Sequence, residues 1–373
     1  MKAADLSAVT LFALFICAFI ALPATAASEE TPVDLQALNR ETIELYRTGR
    51  YERGVVVAKR ALELAEMKFG PNHPEVAENL NNLAVFYRAL GQYAQAEPLY
   101  IRSLEIDREA LGPDHPSVAA NMNNLALLYR SQGLYVLAEP LYRDALAIHE
   151  KALGPDHPDV ANSLNNLAEL YRNQGLFEQA EPLYKRSLEI YEASSGPDHP
   201  AVATSLNNLA ELYRNQGLNA TSQPLYNRAL AIYEKALGPD HPAVATTLNN
   251  LAALHVAQGL YTQAEALYKR SLDIRVRTLG SDHPDVANSL NNLAELYRNQ
   301  GQNALAEPLY KRALAICEKA FGPDHPRIVP ILNNLSTLYA AQGQQGQADL
   351  FYKRSQAIRD KVAAPDRPPE SRI

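Results

Sequence analysis

A 42-residue step governs this chain. The dipeptide His-Pro stands at 73–74, 115–116, 157–158, 199–200, 241–242, 283–284 and 325–326. Two series of glycines keep the same step, one at 49, 91, 133, 175, 217, 259, 301 and 343, the other at 70, 112, 154, 196, 238, 280 and 322. They hold 15 of the 17 glycines, so glycine here marks the ends of repeated units rather than scattered loops. A chain of this kind stacks copies of one small unit, because a single copy cannot bury its own apolar face.

Between the marks the apolar pattern is helical. Leu164, Leu167, Ala168 and Tyr171 lie at i, i+3, i+4 and i+7. Pro158 suits the first helical position, where a missing N–H costs nothing. His157 before it is pushed extended and is expected to cap the helix. Gly175 is expected to end it. A second helix follows, with Ala180, Leu183, Tyr184, Leu188 and Ile190 as its apolar set, and runs to Gly196-Pro197. Proline recurs inside this second helix at 98, 140, 182, 224 and 308, which predicts a kink or a loosened first turn. The fold expected is all-α, a helix–turn–helix unit repeated about eight times over residues 35–359. The end units are degenerate: Glu41 and Thr42 replace a Leu-Ala pair, and Gln356 replaces a recurrent leucine. Residues 360–373 are polar with three prolines and are expected to be a disordered tail.

The consensus of the repeat, LNNLAELYRNQG in the first helix and AEPLYKRSLEIYEKALGPDHP from the second onward, resembles the 42-residue tetratricopeptide repeat of kinesin light chains. The resemblance implies a right-handed α-solenoid whose first helices line a concave groove, and a role in binding proteins. A motor-adaptor role is not expected, since the chain shows no N-terminal heptad segment and opens with an export signal.

That signal is residues 1–26. Lys2 gives a weakly positive start, Leu11 to Leu22 is apolar and uncharged, and Ala24-Thr25-Ala26 places small residues for cleavage before Ala27. The apolar run is short of the roughly 20 residues a spanning helix needs, so membrane attachment is expected only if the signal stays uncleaved. Residues 27–34 read as a short linker. The expected location is a bacterial periplasm, with secretion as the alternative. Cys17 leaves with the signal, and Cys317 alone cannot form an internal disulfide.

Composition narrows the functions. A formal net charge of −7 argues against a general nucleic-acid binder. No phosphate-binding glycine loop, G-x-S-x-G or H-E-x-x-H occurs, so neither catalysis nor a cofactor is expected. A wide groove also buries a small molecule poorly, and no small-molecule substrate is expected. The seven periodic histidines have no second His or Cys beside them and are read as helix starts rather than metal ligands. His255, where other repeats have Tyr, is read as a packing substitution. Positions 107, 149, 191, 233, 275 and 317 hold Asp, His, Tyr, Tyr, Arg and Cys, and so varied a position is expected to be exposed.

The candidate binding residues form a polar stripe on the first helices. Seven repeats carry an Asn pair, whose first members are Asn81, Asn123, Asn165, Asn207, Asn249, Asn291 and Asn333. Asn costs a helix up to about 0.7 kcal/mol relative to Ala, so a compensating role is expected. An amide both donates and accepts, and the first Asn is read as pairing with an extended peptide's backbone, although bonding to neighbouring repeats would also explain it. The second Asn is read as structural. Arg88, Arg130, Arg172, Arg214 and Arg298 share the stripe. Glu169, Glu211 and Glu295 stand three residues before their arginines, whereas Arg88 and Arg130 have Val85 and Leu127 there. A groove more basic in its N-terminal half, suited to an acidic segment, is therefore expected. The reading is a non-catalytic scaffold that binds a protein or peptide in its groove, with a self-assembling protein or the accessory subunit of a separate enzyme as alternatives.

Overall fold

The computed structural model describes residues 34–363; the expected signal, most of the linker and all but the first residues of the expected tail lie outside that range. Sixteen α-helices and no strand occur among the described residues. They come in pairs: α1 (Leu35–Arg47) with α2 (Tyr51–Phe69), α3 (Pro74–Ala89) with α4 (Tyr93–Leu111), α5 (Pro116–Ser131) with α6 (Tyr135–Leu153), and α7 (Pro158–Asn173) with α8 (Phe177–Ser195). The second half continues with α9 (Pro200–Asn215) and α10 (Asn219–Leu237), α11 (Pro242–Ala257) and α12 (Tyr261–Leu279), α13 (Pro284–Asn299) and α14 (Asn303–Phe321), and α15 (Val329–Ala341) and α16 (Gln345–Ala363). A short 3-10 turn, Pro326–Ile328, leads into α15.

The local chemistry explains these boundaries. In α7 the His157 Nδ1 accepts the Asp159 backbone N–H at 3.2 Å, with Pro158 in the first turn. The same cap opens each later first helix from α3 to α13 and the 3-10 turn before α15. At the far end Gly175 takes φ +75°; its N–H bonds the Arg172 carbonyl while the Leu176 N–H bonds that of Tyr171, a Schellman termination. Gly196, after α8, combines φ 89° with ψ 157°, a region essentially closed to residues with a Cβ. The prolines do not interrupt the second helices: α8 runs unbroken through Pro182. Pro182 is its sixth residue, so the N–H it lacks would have reached only the first turn. Helix α16 passes the expected boundary at 359 and ends at 363, one period after α14.

The core is shared between repeats. Ala126, Tyr142, Leu167, Ala168, Ala180, Tyr184, Leu209 and Tyr213 belong to one buried cluster that spans three consecutive pairs. Tyr100, Tyr142, Tyr184, Tyr226 and Tyr310 are all fully buried. First helices of consecutive pairs approach one another directly, as α5 does α7 and α7 does α9, an approach the second helices do not match. The first helices therefore form the inside of the curve.

The coil closes on itself. Tyr51 at the start of α2 stacks on Phe321 at the end of α14, ring centroids 5.7 Å apart. Phe321 stacks on His325 at 4.7 Å, and the Arg327 guanidinium lies 5.0 Å from the Phe321 ring. The turn after α1 is seated so closely that a Cβ on Gly49 would come within 2.9 Å of Pro284 Cδ; one on Gly91 would come within 2.8 Å of His325 Nε2. His283 and His325 are consequently buried, whereas the equivalent His157 side chain in mid-array is 40% exposed.

Candidate functional site

The first helices place the Asn stripe on the inner face, and the structure uses those amides between repeats. Nδ2 of Asn123, Asn165 and Asn207 donates to the hydroxyl of Ser163, Ser205 and Thr247 in the next first helix, at 3.2, 3.3 and 2.8 Å. Asn81 donates to Ser103 at 2.7 Å and bonds Asn121. The second Asn of the following pair reaches back: Asn124 donates to Asn81 at 3.4 Å, Asn292 to Asn249 and Asn334 to Asn291, both at 3.0 Å. Asn333 accepts from Ser355 at 2.6 Å. The amide donors of Asn81, Asn123, Asn165 and Asn207 are thus engaged in the array, whereas Asn249, Asn291 and Asn333 join it through their oxygens. The sequence signal was the Ser or Thr one repeat on and two residues short, at 163, 205 and 247, which reads as filler until helices are packed.

The arginines correct the expected charge gradient. Arg130, expected to be free, pairs with Glu169 of the next first helix at 2.6 Å. Arg172 pairs with Glu211 in the same way at 2.7 Å, closer than its own-helix Glu169 at 3.6 Å. Arg88 is partly buried against the hydroxyls of Tyr46 and Tyr100. The N-terminal half therefore offers no row of free cations. Arg214 and Arg298 keep only own-helix carboxylates, Glu211 at 3.8 Å and Glu295 at 3.5 Å. The long arginine side chain spans the gap between stacked first helices, so for Arg130 and Arg172 the closest carboxylate lies one repeat on.

The varied position is buried, not exposed. Asp107 bonds Asn121 at 2.9 Å, His149 bonds Ser163 at 2.9 Å, Tyr233 bonds Thr204 at 2.7 Å, and Arg275 bonds Ser289 at 3.0 Å. Asp, His, Tyr and Arg at this position each find a hydrogen-bond partner in a neighbouring first helix, which preserves a polar clasp there. Burial pushes the Cys317 thiol up to about 11, so it stays protonated. A second rung links Tyr171 to Glu139 at 2.9 Å, Tyr213 to Glu181 at 2.8 Å and Tyr297 to Glu265 at 2.9 Å. Between the fifth and sixth repeats both members change: Gln223 stands for Glu and His255 for Tyr, and neither ring nitrogen of His255 has a partner.

Among the described residues no group of His, Cys, Asp and Glu could hold a metal ion, and no helix is long and apolar enough to cross a membrane. The geometry defines a solenoid of paired helices with a polar, ion-paired inner face. By its repeat profile, which matches residues 42–75 and then overlapping stretches from 75 to 361, the chain belongs to the tetratricopeptide repeat family.

A search of curated proteins returns no match. Among solved structures the chain is similar to BtubC (BKLC) from P. vanneervenii, at 28% identity over 65% of this chain and 93% of that one, TM-score 0.49. A Podosopora anserina protein described as a kinesin light chain with nearly identical TPR-like repeats gives 29% identity over 55% of this chain and 97% of that one, TM-score 0.45. A Rap protein complexed with Competence and Sporulation Factor gives 14% identity over 88% and 98%, TM-score 0.55.

Proposed function

We propose that this chain is an exported, non-catalytic scaffold that captures an extended segment of another protein on the concave face of its first helices. The observation that carries this reading is the half-open charge on that face: Glu169 at 36%, Glu295 at 46% and Arg214 at 29% side-chain exposure, set on a rigid array of helices. A preformed face lowers the ordering cost of binding. Charged side chains not fully engaged within it can exchange partners with a ligand. The Rap protein known in complex with Competence and Sporulation Factor has the same fold. Export rests on the sequence of residues 1–26.

Panning a random peptide library against residues 27–373 tests this. Enrichment that is lost on Arg172→Ala with Arg214→Ala, in a variant of unchanged helicity and melting, supports the groove. Enrichment indifferent to both changes moves binding elsewhere, and absence of enrichment rejects capture.

A second reading, self-association, rests on Leu134, Leu176, Leu218 and Leu260. They repeat along the edge formed by the turns within each pair and are 39–48% exposed. The turns at Gly49 and Gly91 on that same edge are already docked inside the chain. Light scattering over a concentration range distinguishes this reading by growth without a partner.

A further inference from the structure

The ladder of ion pairs across the inner face is broken at one place. From Arg130 to Glu211 each arginine meets a glutamate of the next repeat. Helix α11 then supplies Ala253 where its neighbours have Glu and Val256 where they have Arg. Both members are lost in the same repeat, so two charges are stranded on either side of it. Arg214 has no carboxylate ahead of it; its own Glu211 is 3.8 Å away and already holds Arg172 at 2.7 Å. The Arg214 side chain is 29% exposed, against 13% for Arg172 in the intact ladder. On the other side Glu295 has no arginine behind it, keeps Arg298 only at 3.5 Å, and is 46% exposed. Between them lie the partly buried Ala253 and Val256.

We infer that this break is a specificity subsite for an extended peptide that carries a carboxylate for Arg214, apolar side chains over Ala253 and Val256, and a cation for Glu295. The inference rests on peptide capture by the same face. Packed helices stand about 8–10 Å apart, so α9 and α13 hold their charges roughly 16–20 Å apart. An extended chain rises about 3.3 Å per residue, which sets the acidic and basic residues about five or six positions apart. Charge complementarity selects this occupant over an all-acidic one: Glu295 repels a second carboxylate, and nothing on α11 offers it a cation.

The test uses the full chain and three fluorescent peptides, Asp-Ser-Leu-Val-Leu-Lys, Asp-Ser-Leu-Val-Leu-Asp and Asp-Ser-Ser-Ser-Ser-Lys, with anisotropy as readout and a random decapeptide pool as a separate probe. The first peptide is expected to bind about tenfold more tightly than either other. Ala253→Glu with Val256→Arg rebuilds the neighbouring repeats' ladder and is expected to remove that preference about tenfold, at unchanged melting. Glu295→Gln is expected to bring the first two peptides to near equality. A preference that survives the rebuilt ladder overturns the subsite, as does failure of the first peptide to bind while the random pool is retained. Loss of both the peptide and the pool overturns capture itself.

Discussion

Tyr51 and Phe321, in the first and seventh repeats, stack with planes 12° from parallel. The contact turns an open ribbon of repeats into a closed coil, since the turns at Gly49 and Gly91 seat on Pro284 and His325 alongside it. A repeat array ordinarily communicates only between neighbours. Here the first two repeats also touch the last two, which couples their stability.

Two glycine substitutions separate that contact from local strain. Gly49 and Gly175 both have positive φ, +69° and +75°, so Ala at either costs roughly 1–2 kcal/mol. Only at Gly49 does the new Cβ meet another turn; at Gly175 nothing lies within 4 Å. Gly49→Ala is expected to lower stability further and to raise the radius of gyration in small-angle scattering. Gly175→Ala should lower stability without opening the coil. Tyr51→Ala should open it as Gly49→Ala does, with about 0.5–1.5 kcal/mol lost from the ring pair beyond its buried area.

Acid should loosen the same region. The cap requires His Nδ1 as acceptor, which a protonated ring cannot provide. Burial, reinforced by the Arg327 cation, pushes the His325 ring down to about 4, and burial also lowers His283 and His241. An unfolded histidine binds its proton near pH 6.5. The unfolded chain therefore takes up protons first as the pH falls from about 6.5 toward 4, and stability falls across that window. His325→Asn keeps a capping acceptor without a titrating group. Denaturant unfolding at several pH values should show a shallower decline for it.

Glu78 should act in the opposite direction. Burial, with the nearby Glu75 and Asp107 carboxylates, pushes it up to about 7. Between about 4.5 and 7 the folded chain holds a proton that the unfolded chain has released, so stability falls as the pH rises across that window and the penalty is complete above about 7. Glu78→Gln mimics the protonated acid. It is expected to raise the denaturation midpoint at pH 8 and to leave it nearly unchanged at pH 5.

The Asn rungs should show themselves in stability. Asn207 is 8% exposed and donates to Thr247 at 2.8 Å. Asn207→Ala leaves a buried hydroxyl short of its partner and is expected to cost about 1–3 kcal/mol, read as a lower melting temperature. A melting temperature unchanged from the parent chain would refute the structural role.

The repeat length, the helix boundaries and the capping histidines were legible in the sequence, because each depends on residues within one turn of one another. His157, Pro158 and Gly175 act on backbone within a turn of themselves, and the 42-residue step exposes their role by repetition. Tertiary structure decided everything that joins one repeat to another. Arg130 looked free because Leu127 precedes it on its own helix, yet its partner Glu169 is supplied by stacking. Asp107 and His149 looked exposed because the position varies, yet each finds a hydrogen-bond partner in a neighbouring first helix. The closure of Tyr51 on Phe321 lies furthest from the sequence. A small rotation per repeat accumulates over the array, and only the summed curvature decides whether the two ends meet.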